Sequence, residues 1–376
     1  MSTDRQSAGE QASPHTLSLT RCAPRPPVER GVVHHEPERC QPGLTLCWSG
    51  RSARLVDLSG RDVHRWSLEE GPPWHEAQLL DNGHLLVVAN DSPYSPRQVA
   101  WHWLIELDRD GQIVWESHAR VHHDAQRLPN GNTLVVASAP AQYLQIHDRE
   151  LIYDYLQELT PDGKVAWSWH YAPHESELDL PASAGLSSHH GDWPHINTIQ
   201  SLPDTPAGRH DARFRAGNLL VSPRHLHLIF IIDRDTGGIV WQWGAGEILG
   251  QHQPTMLDTG NILLFDNGMG SSSDAGEMQM RGWSRALELD PLSGDIVWEY
   301  HADPPTDFWT PVGSGAQRLP NGNTLICAMN YSEPGRIFEV TPAGRIVWDY
   351  WSPEGTSFYR AYRFSPGSAA LAALGV

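Results

Sequence analysis

The chain is expected to fold as an all-β, six-bladed β-propeller, and three observations on its 376 residues carry that expectation. A short strand ending in tryptophan recurs six times just after a glycine turn. The segments are Val63-His64-Arg65-Trp66, Ile113-Val114-Trp115, Val165-Ala166-Trp167, Ile239-Val240-Trp241, Ile296-Val297-Trp298 and Ile346-Val347-Trp348. Successive tryptophans stand 49, 52, 74, 57 and 50 residues apart, room for one four-stranded sheet each. Asn-Gly and Asp-Gly turns between short β-rich runs mark hairpins throughout. A period of this length means a closed array of small sheets, in which equivalent positions meet on the axis.

The elements follow in order. Residues 1–42 carry Pro, Ser and Arg without periodicity and read as a flexible leader. Residues 43–68 read as three outer strands (44–48, 53–57 and 62–66). Five complete units then run from about Trp74 to Trp351. In the second of these, His123-Asp-Ala-Gln-Arg-Leu is a strand, Pro129-Asn-Gly-Asn132 a turn and Thr133-Leu-Val-Val-Ala the return. Leu156-Gln-Glu-Leu-Thr follows, and Asp162-Gly163 turns the chain into the tryptophan strand. The segment Phe358-Tyr-Arg-Ala-Tyr-Arg-Phe364 supplies the missing inner strand of the first sheet. Joining both ends of the chain in one sheet closes the ring over 43–365 and removes exposed edges. Residues 366–376 are left as a tail.

Composition narrows the function. A net charge of -18 argues against nucleic acid and against anionic lipid as partners. No apolar run approaches the ~20 residues of a membrane helix, and the first residues are polar, so the chain is expected to be soluble and cytoplasmic. Cys22, Cys40, Cys47 and Cys327 include no Cys-x-x-Cys pair, and unpaired thiols are preferred to a zinc site with His34 and His35.

Four units open on histidine: His75, His123, His195 and His252. The tight turns fall on one face and the long connections on the other, where the inner strands begin, so the histidines should line the channel mouth on the working face. Strand alternation points His195 and Asn197 the same way. Arg224, at the end of the returning strand of the third complete unit, is a candidate cation above the channel. Asp266 and Asn267 stand at the equivalent end of the next unit, and Asn330 at that of the last. The loops 171–191, 269–283 and 302–313, with Trp283, Phe308 and Trp309, are expected to shape a substrate pocket. His227 is expected to be exposed, and the six repeat tryptophans to pack between blades. The last complete unit keeps the whole frame but has Ser314-Gly315 where the histidine would stand. The fold therefore does not need the imidazole, which favours a functional role for the others.

Asp192-Trp-Pro-His-Ile-Asn197, Ser222-Pro-Arg-His225 and Gln251-His252, over roughly residues 70–365, resemble the bacterial arylsulfate sulfotransferase family, which does not use phosphoadenosine phosphosulfate. The resemblance implies a six-bladed propeller, no cofactor, an aryl sulfate donor and a phenolic acceptor used in ping-pong order. It implies that His252 is the nucleophile, transiently sulfated, with His123, His195, Asn197 and Arg224 around the sulfuryl group. His75, Asp266, Asn267, Trp283, Trp309 and Asn330 are then the candidate substrate contacts. Two other readings use the same residues. One is a metalloenzyme with the channel histidines as Cu, Fe or Zn ligands; the other is a non-catalytic propeller that binds a ligand or partner across the same face.

Overall fold

The computed structural model describes residues 29–90, 102–141, 150–181, 184, 191–272, 278–329 and 334–376. Six antiparallel sheets are arranged as a six-bladed propeller. Blade 1 joins the inner strand Ala361–Phe364 to Leu44–Ser49, Ser52–Val56 and Asp62–Ser67, so the two ends of the chain close the ring in one sheet. The innermost strands of blades 2 to 6 are Trp74–Leu79, Val121–Arg127, Ile196–Ser201, His252–Met256 and Gly315–Arg318.

The tryptophans fasten each blade to the next. Indole N–H groups of Trp66, Trp115, Trp169, Trp243, Trp298 and Trp348 donate to Asp108, Pro161, Gly237, Gly294, Pro342 and Leu58 carbonyls of the following blade. These six bonds, 2.8–3.0 Å long, run once around the ring. In blades 3 and 4 the donor lies two residues beyond the repeat tryptophan, which is why the sequence doubles it there as Trp167-Ser-Trp169 and Trp241-Gln-Trp243. Trp167 instead lies 3.6 Å beneath the Arg234 guanidinium.

A second ladder of side chains links the inner strands. The Oε1 atoms of Gln78, Gln126, Gln200 and Gln317 accept from the Arg127, Ser201, Met256 and Arg363 amides of the next blade. Each such bond satisfies an inner-strand donor that faces no neighbouring strand of its own sheet.

Both ends of the chain are more structured than the leader-and-tail reading allows. Gly31–His35 adds a fifth strand to blade 6 by pairing with Ile346–Trp351. At the other end, Ala369–Leu374 forms a helix that buries Ala370, Leu371 and Leu374 against blades 1 and 2. No described helix is long and apolar enough to cross a membrane.

Candidate functional site

The turn after each inner strand gives a common frame. Leu80, Leu128, Leu202, Leu257 and Leu319 each donate their amide to the carbonyl of the first residue past the turn. Counting back five residues reaches His75, His123, Asn197, His252 and Ser314. Asn197 thus takes the frame position in blade 4, and His195 stands two residues ahead of it, a correction to the shared phase expected from sequence. The sequence itself sets this: counted back from the turn, Asn197-Thr-Ile-Gln-Ser-Leu202 aligns with His123-Asp-Ala-Gln-Arg-Leu128. In blade 1 the Gln317 bond to the Arg363 amide fixes the register, and Tyr359 falls at the same position.

Here the strands also abandon simple alternation. His123, His195, Gln253 and Ser314 adopt left-handed φ values of 57°, 64°, 49° and 75°. A residue of that conformation in a bulge re-aims its neighbours' side chains. The imidazoles do converge: ring centroids of His123 lie 4.6 Å from His195 and 5.4 Å from His75. Tyr359 closes the group, with its ring 6.1–6.3 Å from those of His75, His123 and His252.

Three of the histidines are oriented from behind, while His75 Nδ1 is buried without a hydrogen-bond partner among the described residues. The His252 Nδ1 atom faces the Gly250 carbonyl at 3.0 Å and Asn267 Oδ1 at 2.7 Å. The Asn267 amide N–H groups donate to the Thr310 and Gly313 carbonyls, which fixes its oxygen toward the imidazole. His195 donates Nδ1–H to the Asp192 carboxylate, and His225 stacks on it at 4.7 Å. His123 Nδ1 lies 2.6 Å from His122 Nδ1, whose other nitrogen faces Asp154 Oδ1 at 3.0 Å.

The main chain around His252 is equally constrained. Gly250 has φ +66°, and a Cβ there would stand 2.1 Å from the Met269 carbonyl oxygen and 3.6 Å from Arg224 Nη2. Only glycine fits, and the approach it permits sets Arg224 beside the His252 segment. Gln251 reaches back from its Nε2 to the Pro223 and Leu228 carbonyls, at 3.1 and 2.6 Å, pinning the short helix Arg224–Leu226.

Burial, and then the Arg224 charge, push the His252 imidazole well below the ordinary histidine range. Burial does the same to His123, reinforced by His195 and His122, and takes His75 down to about 4. His122 moves the other way: burial opposes its charge, but Asp154 outweighs burial and raises it.

Beneath the imidazoles lies a second layer that sequence reasoning missed. Buried Arg360 donates to Glu76 Oε2 at 2.8 Å, to the Asn197 carbonyl at 2.7 Å and to Thr198 Oγ1 at 2.8 Å; it also stands 3.4 Å from Asp124. Burial, against Arg360 and with Asp124, lifts Glu76 to about 8. Thr198 in turn donates to Asn197 Oδ1, and Asn197 Nδ2 donates to the Gln251 carbonyl. A cavity of about 300 Å³ opens below this layer, lined by Arg360 and the glutamine ladder, and none of the four histidines lines it.

Several expected contacts are employed elsewhere. Asp266 is fully buried and ion-paired with Arg281 and Arg285, and Asn267 serves His252. Trp283 lies under the Arg281 guanidinium at 4.2 Å. Phe308 packs on Phe265, Tyr300 and Phe338 in the core between blades 5 and 6, and Trp309 is buried beside it. His227 is buried, not exposed, and its Nδ1 accepts from the Gly250 amide. Asn330 lies outside the described residues, as do parts of the long connections. Among the described residues no group of three or more His, Cys, Asp or Glu side chains is arranged to hold a metal ion.

The signals for the missed groups were partly present. Asp192 stands inside the motif that carries His195, and Tyr359-Arg360 appears once the C-terminal strand is aligned to the frame. His122 and Asp154 carried no repeat signal, since no other blade has them.

The arylsulfotransferase (ASST) family description matches residues 76–353, close to three quarters of the chain and all of the residues just described apart from His75, Tyr359, Arg360 and Arg363. The chain belongs to that family. An arylsulfotransferase has small-molecule aryl sulfates and phenols as its substrates, and the cluster of imidazoles with an adjacent guanidinium suits that chemistry. Among solved structures, a protein of unknown function from Bacteroides caccae is 15% identical with a TM-score of 0.57, covering 85% of this chain and 98% of its own. It is similar in fold. The Cps50 (Swd1) β-propeller domain of Myceliophteria thermophila is 11% identical with a TM-score of 0.45, covering 91% of this chain and 98% of its own. No curated protein matches the arylsulfotransferase chain by sequence.

Proposed function

We propose that this arylsulfotransferase moves a sulfuryl group from an aryl sulfate to a phenol in ping-pong order, through a sulfo-histidine at His252. The observation that carries the reading is the environment of His252 Nδ1. Both atoms facing it, the Gly250 carbonyl and Asn267 Oδ1, are acceptors. The proton therefore sits on Nδ1 and the lone pair on Nε2. Burial and Arg224 keep the ring neutral, so the lone pair is available across the neutral range.

In the first half-reaction His252 Nε2 attacks sulfur, the N–S bond forms and the S–O bond to the aryl group breaks, with its electron pair passing to the aryl oxygen. Arg224 offers a planar fork to two sulfuryl oxygens. Asn197 Nδ2 has one N–H engaged with the Gln251 carbonyl and a second for another oxygen, and its orientation is fixed by Thr198. Such donors are set before the reaction, in a buried site where each counts for more than in water. A neighbouring imidazole, His123 or His195, protonates the departing phenolate. In the second half-reaction the same imidazole removes the proton of the acceptor phenol. The new S–O bond forms, and His252 Nε2 recovers its electron pair.

Exposure to 4-nitrophenyl sulfate without acceptor tests the reading. The expected outcome is one equivalent of 4-nitrophenol per protein and a mass gain of one SO3 on the peptide containing His252. A mass gain that survives His252→Ala would overturn it.

A further inference from the structure

We infer that His122 and Asp154 form, behind His123, a relay that supplies the proton to the departing aryl oxygen and takes back the proton of the acceptor phenol. This rests on the sulfotransfer reading of the site. His122 itself is a positioning and proton-storing residue: it touches His123, not the substrate.

The geometry is unusual for adjacent residues of a strand, whose side chains point to opposite faces. The left-handed conformation of His123, at φ 57°, breaks the alternation and lets both rings turn to one side. Their Nδ1 atoms come to 2.6 Å, a distance that two nitrogen lone pairs cannot share without a proton between them. On its far side His122 donates Nε2–H to Asp154 Oδ1 at 3.0 Å. Asp154 also accepts from the Ile196 amide, so its carboxylate is held in place. All three side chains are buried.

The charges facing His122 favour an imidazolium. Asp154 contacts it and Asp192 adds to the same effect, against burial and the neighbouring rings of His123, His75 and His102. An imidazolium His122 donates Nδ1–H to His123, which must then accept at Nδ1 and carry its own proton on Nε2.

The protons balance over the cycle. When the S–O bond breaks, His123 Nε2–H passes to the aryl oxygen, and the proton between the two Nδ1 atoms moves from His122 to His123. His122 is left neutral with its remaining proton toward Asp154, and His123 is neutral with a lone pair on Nε2. The acceptor phenol then gives its proton to His123 Nε2, and the Nδ1 proton returns to His122. The Nδ1–Nδ1 hydrogen bond survives both halves and only reverses direction, so His123 never becomes an imidazolate.

The inference is tested with His122→Asn, whose amide N–H can hold His123 Nδ1 without passing a proton. Single-turnover rates of phenol release, without acceptor, are compared for 4-nitrophenyl sulfate, whose phenolate leaves unaided, and phenyl sulfate, whose phenol has a pKa of roughly 10 like tyrosine. The variant should stay within about threefold of wild type on the first and fall about a hundredfold or more on the second. An equal loss on both donors, or no loss on either, overturns the relay and leaves the sulfotransfer reading standing. A wild type inert toward every aryl sulfate overturns both. Nitrogen-15 NMR of the resting wild-type imidazoles supplies a measurement that does not depend on the variant's folding. Expected is a strongly deshielded proton shared by His122 and His123, with His123 protonated at Nε2; a His123 protonated only at Nδ1 in the resting protein would sink the relay.

Discussion

In blade 5, five residues ahead of the turn, stands His252; in blade 6, on the same count, stands Ser314. Both positions are fully or almost fully buried, and both adjoin a left-handed residue, Gln253 in one and Ser314 itself in the other. What differs is what lies behind. His252 is backed by Asn267 and the Gly250 carbonyl, which leave one ring nitrogen unspent toward the channel. The Ser314 hydroxyl is consumed locally: it meets Thr310 Oγ1 at 2.8 Å and accepts from the Met329 amide at 3.0 Å. The frame fixes where a side chain enters the channel, and the residues behind it decide whether that side chain has chemistry left to offer.

The comparison breaks most visibly at His252. Replacing it with alanine removes the nucleophile and should lower turnover of aryl sulfates by on the order of a thousandfold or more. Retention of turnover within tenfold of wild type, measured by phenol release, would mean that blade 5 is no more catalytic than blade 6. Asn267→Ala tests the backing rather than the nucleophile. Gly250 still accepts from Nδ1, so the expected loss in kcat is smaller, about tenfold to a hundredfold, the usual cost of losing a group that orients a functional imidazole. Asn267→Ala protein should still form the sulfo-enzyme, only more slowly.

Ser314→His puts an imidazole at the same position of blade 6 without its backing. No gain in turnover is expected, and the Thr310 and Met329 partners are left unsatisfied. A buried polar group without its partner costs about 1–3 kcal/mol. Denaturant titration would read that loss, and a variant as stable as wild type would show that the hydroxyl is not spent as described.

The parts of the site that were legible in the sequence are those that repeat. The turns, the tryptophan period and the strand-initial histidines recur, and they locate the six blades and His75, His123 and His252. His195 is found through its motif but stands two residues ahead of the frame, and the count back from Leu202 that assigns the frame position to Asn197 is itself legible in the sequence. Tyr359 and Arg360 were hidden by closure: their blade is split between the chain ends, so no neighbouring turn marks their phase. Asp154 acts across space on a histidine of another strand, and its role depends on a distance that spacing does not encode. Trp283, Phe308 and Asp266 look like pocket residues by type, yet the positive charges and aromatic core around blade 5 claim them.

The smallest effect, and the one that separates chemistry from stability, lies in pH. His252 and His123 are held well below the usual histidine range by burial first, and His75 at about 4. Lowering pH from 8 to 6 should therefore leave the rate of sulfo-enzyme formation unchanged within about twofold, since His252 stays neutral while a free histidine of pKa ≈ 6.5 would be mostly protonated. Stability behaves differently. A histidine with a depressed pKa binds fewer protons folded than unfolded, so its contribution is complete above the unfolded value and is lost as pH falls through it. His122, raised by Asp154 despite burial, and Glu76, raised to about 8 by burial, oppose that trend, while the depressed rings of His225 and His102 add to it. The melting temperature should fall between pH 7 and 5 while the half-reaction persists, and Ser314→His, with one more buried imidazole, should steepen the fall. A sulfation rate that instead drops with an apparent pKa near 6.5 would mean that His252 is as solvated as any surface histidine, and that its backing does not distinguish blade 5 from blade 6.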